Sequence, residues 1–420
     1  MEISATGAMI GLIVAIVLIV YKYNAAYSLM FGALLGGMIG GGMPLVDRLP
    51  ETVRLMVEGA RDITPAALRI IAAGVLAGVL IASGAAVRIA ATIMRFSGDR
   101  FSLVALALAT MLLTAVGVFI DIAVITVSPI ALAVAKKAGY SRGCILIAMI
   151  GGGKSGNLIS PNPNTIATAS EFNVDLSSLM AANLIPAIVG FVFTVILVSL
   201  LTKRGEMVTE EIDAGTQDLP PFWAAILGPL VAIFLLTLRP LCGVHVDPLI
   251  ALPTGGLIGC LAMGRFSKLC GYLDVGLSKM INVAVLMLGT GTLAGIIKAS
   301  AFKDVLIAVV EHSGLPGDLL APISGIMMSA ATASTTAGAT VASQTFSVTL
   351  LGMGLAPLAA AAMVHAGATV LDHLPHGTFF HATGGAVGMN ITERLKIIPY
   401  ETLIAFVLTV TSTLLHARLY

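Results

Sequence analysis

Residues Ile150-Gly-Gly-Gly-Lys-Ser-Gly-Asn-Leu-Ile-Ser-Pro-Asn-Pro-Asn-Thr165 interrupt a chain that is otherwise almost continuously apolar. Apolar residues lead in from Cys144 and resume weakly at Ile166. Pro163 has no N–H to give a helix, and three successive glycines remove side-chain support, so a regular helix cannot pass through. Backbone groups freed inside a bilayer must find partners, and irregular backbone survives there only where protein or a cavity covers it. A helix broken at membrane depth therefore marks a substrate or ion site. Val364-His-Ala-Gly-Ala-Thr-Val-Leu-Asp-His-Leu-Pro-His-Gly-Thr-Phe380 repeats the design, with small residues first and a polar proline turn after them.

The 420 residues are 57% hydrophobic and 11% charged, against roughly a quarter charged in soluble domains. That sets aside a soluble protein with one large core and indicates a polytopic, all-α membrane protein. A formal charge of +1 gives no basis for binding nucleic acid. The 45 glycines suit close helix contacts in lipid. Cys144, Cys242, Cys260 and Cys270 have no paired spacing, so neither a disulfide framework nor a cysteine metal site is expected. The apolar run Met9 to Val20 lacks a basic leader and a cleavage site, and reads as a retained first helix.

In chain order, Ala5–Val20 and Ala26–Met43 are apolar. Pro44–Arg69 mixes charges with Leu and Val and reads as an amphipathic segment lying at the interface. Ile70–Met94 is expected to span. An apolar stretch at about 103–135 is long for one span and short for two, and predicts a re-entrant hairpin with its tip near Ile120-Asp121. The first broken helix (about 142–170) and a span at Leu184–Leu201 complete a first repeat, 1–202. A polar, acidic linker follows at 203–221, with Glu206, Glu210, Glu211, Asp213 and Asp218 before Pro220-Pro221. Residues 222–420 replay the order: apolar runs at Phe222–Leu238 and Pro248–Met263, a span at Ile281–Ile297, a hairpin at about 319–351 interrupted at Ala331–Gly338, a broken helix at about 356–384, and a span at Ile397–Leu415.

Residue matches support a repeat. Leu76-Ala-Gly-Val-Leu-Ile-Ala-Ser83 aligns with Leu293-Ala-Gly-Ile-Ile-Lys-Ala-Ser300, Ser97-Gly98 with Ser313-Gly314, and Pro161 with Pro375. About five crossings plus one returning hairpin per half invert the second half relative to the first. Basic residues on one predicted side, among them Lys22, Arg100, Lys136, Lys137, Arg142, Lys203, Arg265, Lys279, Arg394 and Lys396, outnumber those on the other, which include Arg54, Arg69, Arg239 and Arg418. The richer side is expected to be cytoplasmic, which puts both termini outside.

Gly151-Gly-Gly-Lys-Ser155 suggests a phosphate loop, but Ala148 stands where that motif needs glycine and no soluble strand precedes it. Lys154, an ionisable group at membrane depth, needs a reason: an anionic substrate, a pairing with Asp121 or Asp372, or a snorkelling exit to the surface. Asp121 suits a proton carrier, a cation ligand or a partner of Lys154. Ser155, Asn157, Ser160, Asn162, Asn164 and Thr165 offer neutral donors and acceptors beside a half-helix N-terminus, or cap the break. Ser334, Thr335 and Thr336 form the opposite tip, lining a cavity or bonding back to their own helix. His365, Asp372, His373 and His376 cluster on the second broken helix. A proton relay or substrate hydrogen bonding suits them better than a metal, since the spacing is weakly specific. His381 reads as a wet helix end.

Gly117–Ala123, Ile159-Ser-Pro-Asn-Pro-Asn-Thr-Ile-Ala167 with Phe172-Asn-Val-Asp175, Ala331–Val341 and Val364–Phe380 together resemble the gluconate permease (GntP) family, within the ion transporters that carry paired re-entrant hairpins. The resemblance covers nearly the whole chain. It implies proton-coupled symport of gluconate or a related small hydroxy acid, an elevator-type motion, a homodimer in the cell inner (plasma) membrane, and no cofactor. Asp121 stands where the gluconate branch tends to carry Glu, and Pro161-Asn162-Pro163-Asn164 where it tends to carry a His-rich Pro-Gly turn; Lys154 is a further departure. These leave the substrate and the coupling ion open: an amino acid such as D-serine, a dicarboxylate, or sodium in place of the proton. A membrane-embedded enzyme is the rival class, but no His-Glu-x-x-His motif is present. A channel is the third reading.

Overall fold

The computed structural model describes residues 3–42, 44–97, 101–208, 218–244, 246–313 and 316–417. Gly98, Arg100, Glu210, Glu211, Asp213, Gly314 and Arg418 lie outside them, as do the side chains of Ser97, Arg239, Cys242 and Ser313. Apart from isolated bridges, the regular structure of the described residues is helical. The first half runs α1 (Ala5–Val20), α2 (Ala25–Gly40), α3 (Leu45–Ala82), α4 (Ala85–Ser97), α5 (Ser102–Ala115), α6 (Ile120–Ala138), α7 (Arg142–Leu158), α8 (Pro163–Glu171), α9 (Leu176–Ala182) and α10 (Leu184–Leu201). The second runs α11 (Phe222–Cys242), α12 (Pro248–Ala262), α13 (Leu269–Lys298), α14 (Phe302–Ser313), α15 (Leu320–Thr332), α16 (Thr335–Gly352), α17 (Pro357–Gly367), α18 (Thr378–Ala386) and α19 (Ile391–His416).

Small residues decide which helices meet. Between α1 and α2, a Cβ on Gly11 would stand 2.5 Å from the Gly32 carbonyl oxygen; between α11 and α12, one on Gly255 would stand 2.6 Å from that of Gly228. Gly152 of α7 presses on Ala107 of α5, and Gly325 of α15 on Val364 of α17. The same pairs of helices thus pack together in each half. At the centre α3 and α13 lie along each other, with Gly59 on Gly291 and Gly295, and Gly74 and Gly78 on Gly276. In lipid such backbone-to-backbone approach is a main source of helix association.

Among the described residues, four helical stretches are long and apolar enough to cross a membrane: Val46–Ala82, Leu184–Leu201, Phe266–Lys298 and Ile391–His416. Several shorter apolar helices accompany them. One expectation is corrected. Pro44–Arg69 is not separate from the span expected at Ile70–Met94; α3 is one helix of 38 residues, with Pro50 and Pro65 inside it, and the chain breaks at Ser83-Gly84, short of Met94. Its charges stay on the outer face, where Arg54 pairs with Glu51 and Glu58 three and four residues away, while the glycine face stays on α13.

Both breaks in the sequence are breaks in the fold. Residues 159–162 separate α7 from α8, and 368–377 separate α17 from α18. Two hairpins, α5–α6 and α15–α16, turn at 116–119 and 333–334. Gly117 (φ 103°) and Ala333 (φ 45°) carry left-handed backbone at these tips, which costs a non-glycine residue roughly 1–2 kcal/mol.

Candidate functional site

Helix N-termini leave unsatisfied N–H groups, and four of them surround one region. Asn162 caps α8, its Oδ1 accepting from the Thr165 N–H at 3.1 Å. Ser334 caps α16, accepting from the Ala337 N–H. α6 begins beside Asp121, whose Oδ1 accepts from the Ile122 N–H at 2.9 Å. α18 starts at Thr378.

A cavity of about 390 Å³ opens where these termini meet. Hairpin residues Phe119 to Ile122 line it, with Asn157 and Asn164 from the first broken helix, Ala333 to Thr336 from the second hairpin, and Asp372, Thr378 and Phe379 from the second broken helix. Ser278, Lys279, Asn282 and Val283 of α13 close the remaining wall. Thr336 Oγ1 donates to Asn164 Oδ1 at 2.5 Å, joining hairpin to broken helix. Lys279 lies close enough to Asp121 for their opposite charges to attract.

Behind the Asp372 wall lies a fully buried charge network. Lys154 Nζ donates to the Thr369 carbonyl oxygen at 2.5 Å and forms an ion pair with Asp372 Oδ1. The other Asp372 oxygen accepts from Thr335 Oγ1 at 2.5 Å. His373 Nδ1 lies 3.0 Å from Asp372 Oδ1, and its Nε2 lies 2.9 Å from Thr402 Oγ1. Glu401 Oε2 is 3.9 Å from His373 Nδ1. Glu401 is held by both guanidinium ends of Arg394, at 2.5 and 3.1 Å. Arg394 also donates to the Phe380 carbonyl oxygen and Thr383 Oγ1, and stands over the Phe380 ring.

Of the residues singled out from sequence, the fold brings Asp121, Asn157, Asn164, Ser334, Thr335, Thr336 and Asp372 to one cavity. Lys154 and His373 stand one layer behind it. Of the partners expected for Lys154, Asp372 is the one it meets. The remaining residues stay off the wall. Ser155 Oγ donates back to the Gly151 carbonyl oxygen. Asn162 and Thr165 are engaged in the cap, with Asn162 Nδ2 donating to Asn157. Ser160 and His365 are fully buried with no hydrogen-bond partner for their side chains. His376 Nε2 lies 3.3 Å from the Ala331 carbonyl oxygen, and His381 is exposed beside the Pro375 carbonyl oxygen.

Two features escaped the sequence reading. Lys279, set there among cytoplasmic charges, lines the cavity with Ser278 and Asn282; their spacing puts 278, 279 and 282 on one helical face. Arg394, also assigned to the cytoplasmic surface, is 1% exposed and paired with Glu401. Seven residues apart, the two share a face of α19, a legible signal for a buried pair.

A family model described as GntP family permease matches residues 3–252, more than half the chain, and one described as Na+-H+ antiporter family matches residues 223–313. An uncharacterized transporter of Haemophilus influenzae is 58% identical over 415 residues, 98% of each chain. A gluconate permease of Pseudomonas aeruginosa is 25% identical over 297 residues, covering 64% of this chain and 66% of its own. Among solved structures, the Alcanivorax borkumensis YdaH transporter superposes with a TM-score of 0.66 over 96% of this chain and 98% of that one; at 15% identity the likeness is one of fold. With its family match, its close transporter relative and its broken helices converging on one cavity, the chain belongs to the GntP family of permeases and is a multi-pass membrane transporter.

Proposed function

We propose that this transporter is a secondary active symporter that carries gluconate or a related small hydroxycarboxylate together with protons. The observation that carries the reading is the cavity itself. Lys279 supplies a cation for a carboxylate, while Asn157, Asn164, Asn282, Ser334 and Thr336 supply neutral donors and acceptors for hydroxyls. Two half-helix N-termini and two hairpin tips around one site suit a carrier that alternates access. α5 and α15 have 14 and 13 residues, about 21 and 20 Å at 1.5 Å per residue, short of a hydrocarbon core of roughly 30 Å. That supports re-entrant hairpins, and the matched helix pairs in each half support an inverted repeat. An elevator-type motion, a homodimer, an inner-membrane location and external termini belong to the same proposal. The coupling proton would sit on the Asp121 side or within the Asp372–His373 pair.

A second reading is favoured by Asp121. A carboxylate lining the same cavity as Lys279 could hold an ammonium group, which suits a zwitterion such as D-serine. Uptake by purified protein in liposomes separates the readings. Labelled sugar acids, dicarboxylates and D-amino acids are presented under an inward proton gradient and, separately, a sodium gradient. Proton-driven accumulation of a sugar acid, with KM raised about tenfold in Lys279→Gln, is the expected result; tenfold corresponds to about 1.4 kcal/mol. Accumulation driven only by sodium, or of D-amino acids alone, would overturn the first reading.

A further inference from the structure

Five ionisable side chains form one continuous buried set: Lys154 on α7, Asp372 and His373 in the break after α17, and Glu401 and Arg394 on α19. Lys154 and Arg394 bring two positive charges, and Asp372 and Glu401 two negative ones. With His373 neutral the set is balanced. One further proton gives it a single positive charge, directly behind a cavity proposed to hold an anion. We propose that His373 is the residue that takes the coupling proton, and that the Arg394–Glu401 pair positions it and holds its charged form. This rests on the proton-coupled symport proposed above.

The geometry distinguishes His373 from the other candidates. A buried charge without a partner is costly, so a proton carrier needs acceptors ready for its charged form. Three acceptors face the ring, Asp372 Oδ1 at Nδ1, Glu401 Oε2 beyond it and Thr402 Oγ1 at Nε2, and the Asp372 and Glu401 carboxylates offset the Lys154 ammonium, whose Nζ lies 3.3 Å from Nδ1 and opposes the charged form. In the neutral form Thr402 can turn its hydroxyl to donate instead, so neither state strands a polar atom. His365 is equally buried, but neither ring nitrogen has a partner, and an imidazolium there would be uncompensated. Asp372 is already engaged by Lys154 and Thr335. Asp121 belongs to the cavity wall with Lys279.

Asp372 then becomes the link between substrate and proton. One oxygen faces Lys154 and His373, the other Thr335 at the cavity wall. An anion arriving at that wall raises the cost of the adjacent carboxylate, and a proton on His373 relieves it. The reverse holds as the anion leaves. Binding of the two is therefore mutually favourable, as linkage requires.

Two measurements test the assignment. In histidine-selective 15N NMR of the purified full-length protein, the signal lost in His373→Gln should pass from neutral imidazole to imidazolium between pH 5 and 9. In Glu401→Gln its midpoint should fall by about one pH unit, a tenfold change in proton affinity. If that variant does not fold, Arg394→Met/Glu401→Met removes both charges together and should move the midpoint the same way. In liposomes, His373→Gln should lower proton-driven accumulation at least tenfold more than it lowers exchange of labelled substrate at equal pH. A signal that stays neutral from pH 5 to 9, or His373→Gln accumulating as the parent does, would overturn the proposal. Parent protein that accumulates no acid under a proton gradient would instead overturn the proposed acid–proton symport, and the NMR arm would still decide whether His373 binds the proton.

Discussion

Replacing Lys154 by methionine removes a charge while keeping most of the side chain's volume, in a place where nothing can screen what remains. Lys154 is fully buried, and Asp372 is 2% exposed. Without the ammonium, the Asp372 carboxylate keeps only Thr335 and His373, and the Thr369 carbonyl oxygen loses its donor. Breaking a buried pair from one side costs about 3–5 kcal/mol. At roughly 2 °C per kcal/mol, the lower end for larger chains, Tm should fall by about 6–10 °C. The protein carries its own reporters: Cys144 and Cys260 are buried free thiols, so with the exposed Cys270 replaced by serine a thiol-reactive fluorophore lights up as the fold opens. Lys154→Met/Asp372→Asn removes the stranded charge but keeps the shape and the acceptor for Thr335, and should recover at least half of the loss. A single variant melting within about 1 °C of the parent would refute the reasoning, because the pair would then add nothing. A double variant no better than the single one would also refute it, because the cost would then come from lost packing.

Gly276→Ala should destabilise by about 1–3 kcal/mol, the cost of overpacking, because its new Cβ would press on the Gly74 backbone; an unchanged Tm by the same thiol assay would count against close contact of α3 with α13. Asn162→Ala should cost about 1 kcal/mol through the lost cap on α8, and more if Asn157, left without its donor, cannot re-pair; Asn162→Asp, which keeps the cap but not the donor, separates the two effects. In the segment after α10, the facing Glu393 carboxyl raises the pKa of the exposed Glu206 above the usual carboxylate value. A raised folded-state pKa binds the proton more tightly in the fold, so this contact favours folding most below the ordinary carboxylate pKa and loses that effect as pH rises through the raised value. Glu206→Gln should therefore flatten the change in melting temperature between pH 4 and 7, and an equally steep dependence in that variant would dismiss the contact.

The breaks were readable because their cause is local. Pro161, Asn162 and Pro163 hold the chain out of a helix whatever surrounds them, and Leu374-Pro375-His376-Gly377 does the same ahead of α18; the three glycines do not, because α7 runs through them to Leu158. The hairpin tips were readable because an acid or a hydroxyl run stands out among aliphatic residues. The length of α3 was not, because Glu51, Arg54 and Glu58 read as a wet surface until their mutual pairing and the opposite glycine face are seen together. Nor was the choice of partner for Lys154, since Asp372 lies 218 residues away in sequence and no helical periodicity links them. The burial of Arg394 and the cavity position of Lys279 were missed for a shared reason: a basic residue near a predicted span end counts toward sidedness, and composition cannot tell a surface charge from a buried or cavity-facing one.

The stripe that joins α8 to α16 bears on how the protein is made. Asn164, Thr168 and Glu171 find Thr336, Ser343 and Ser347 at separations of 172, 175 and 176 residues. A ribosome working at roughly 5–20 residues per second needs about 9–35 s to supply those partners after α8 has emerged. During that interval the first half holds a polar stripe, and Lys154 beside it, with no protein groups yet made to receive them. Until α16 is made, α8 lacks the partners that this stripe has in the finished fold. The last hairpin to be synthesised thus acts as the closing piece of a helix made half a chain earlier.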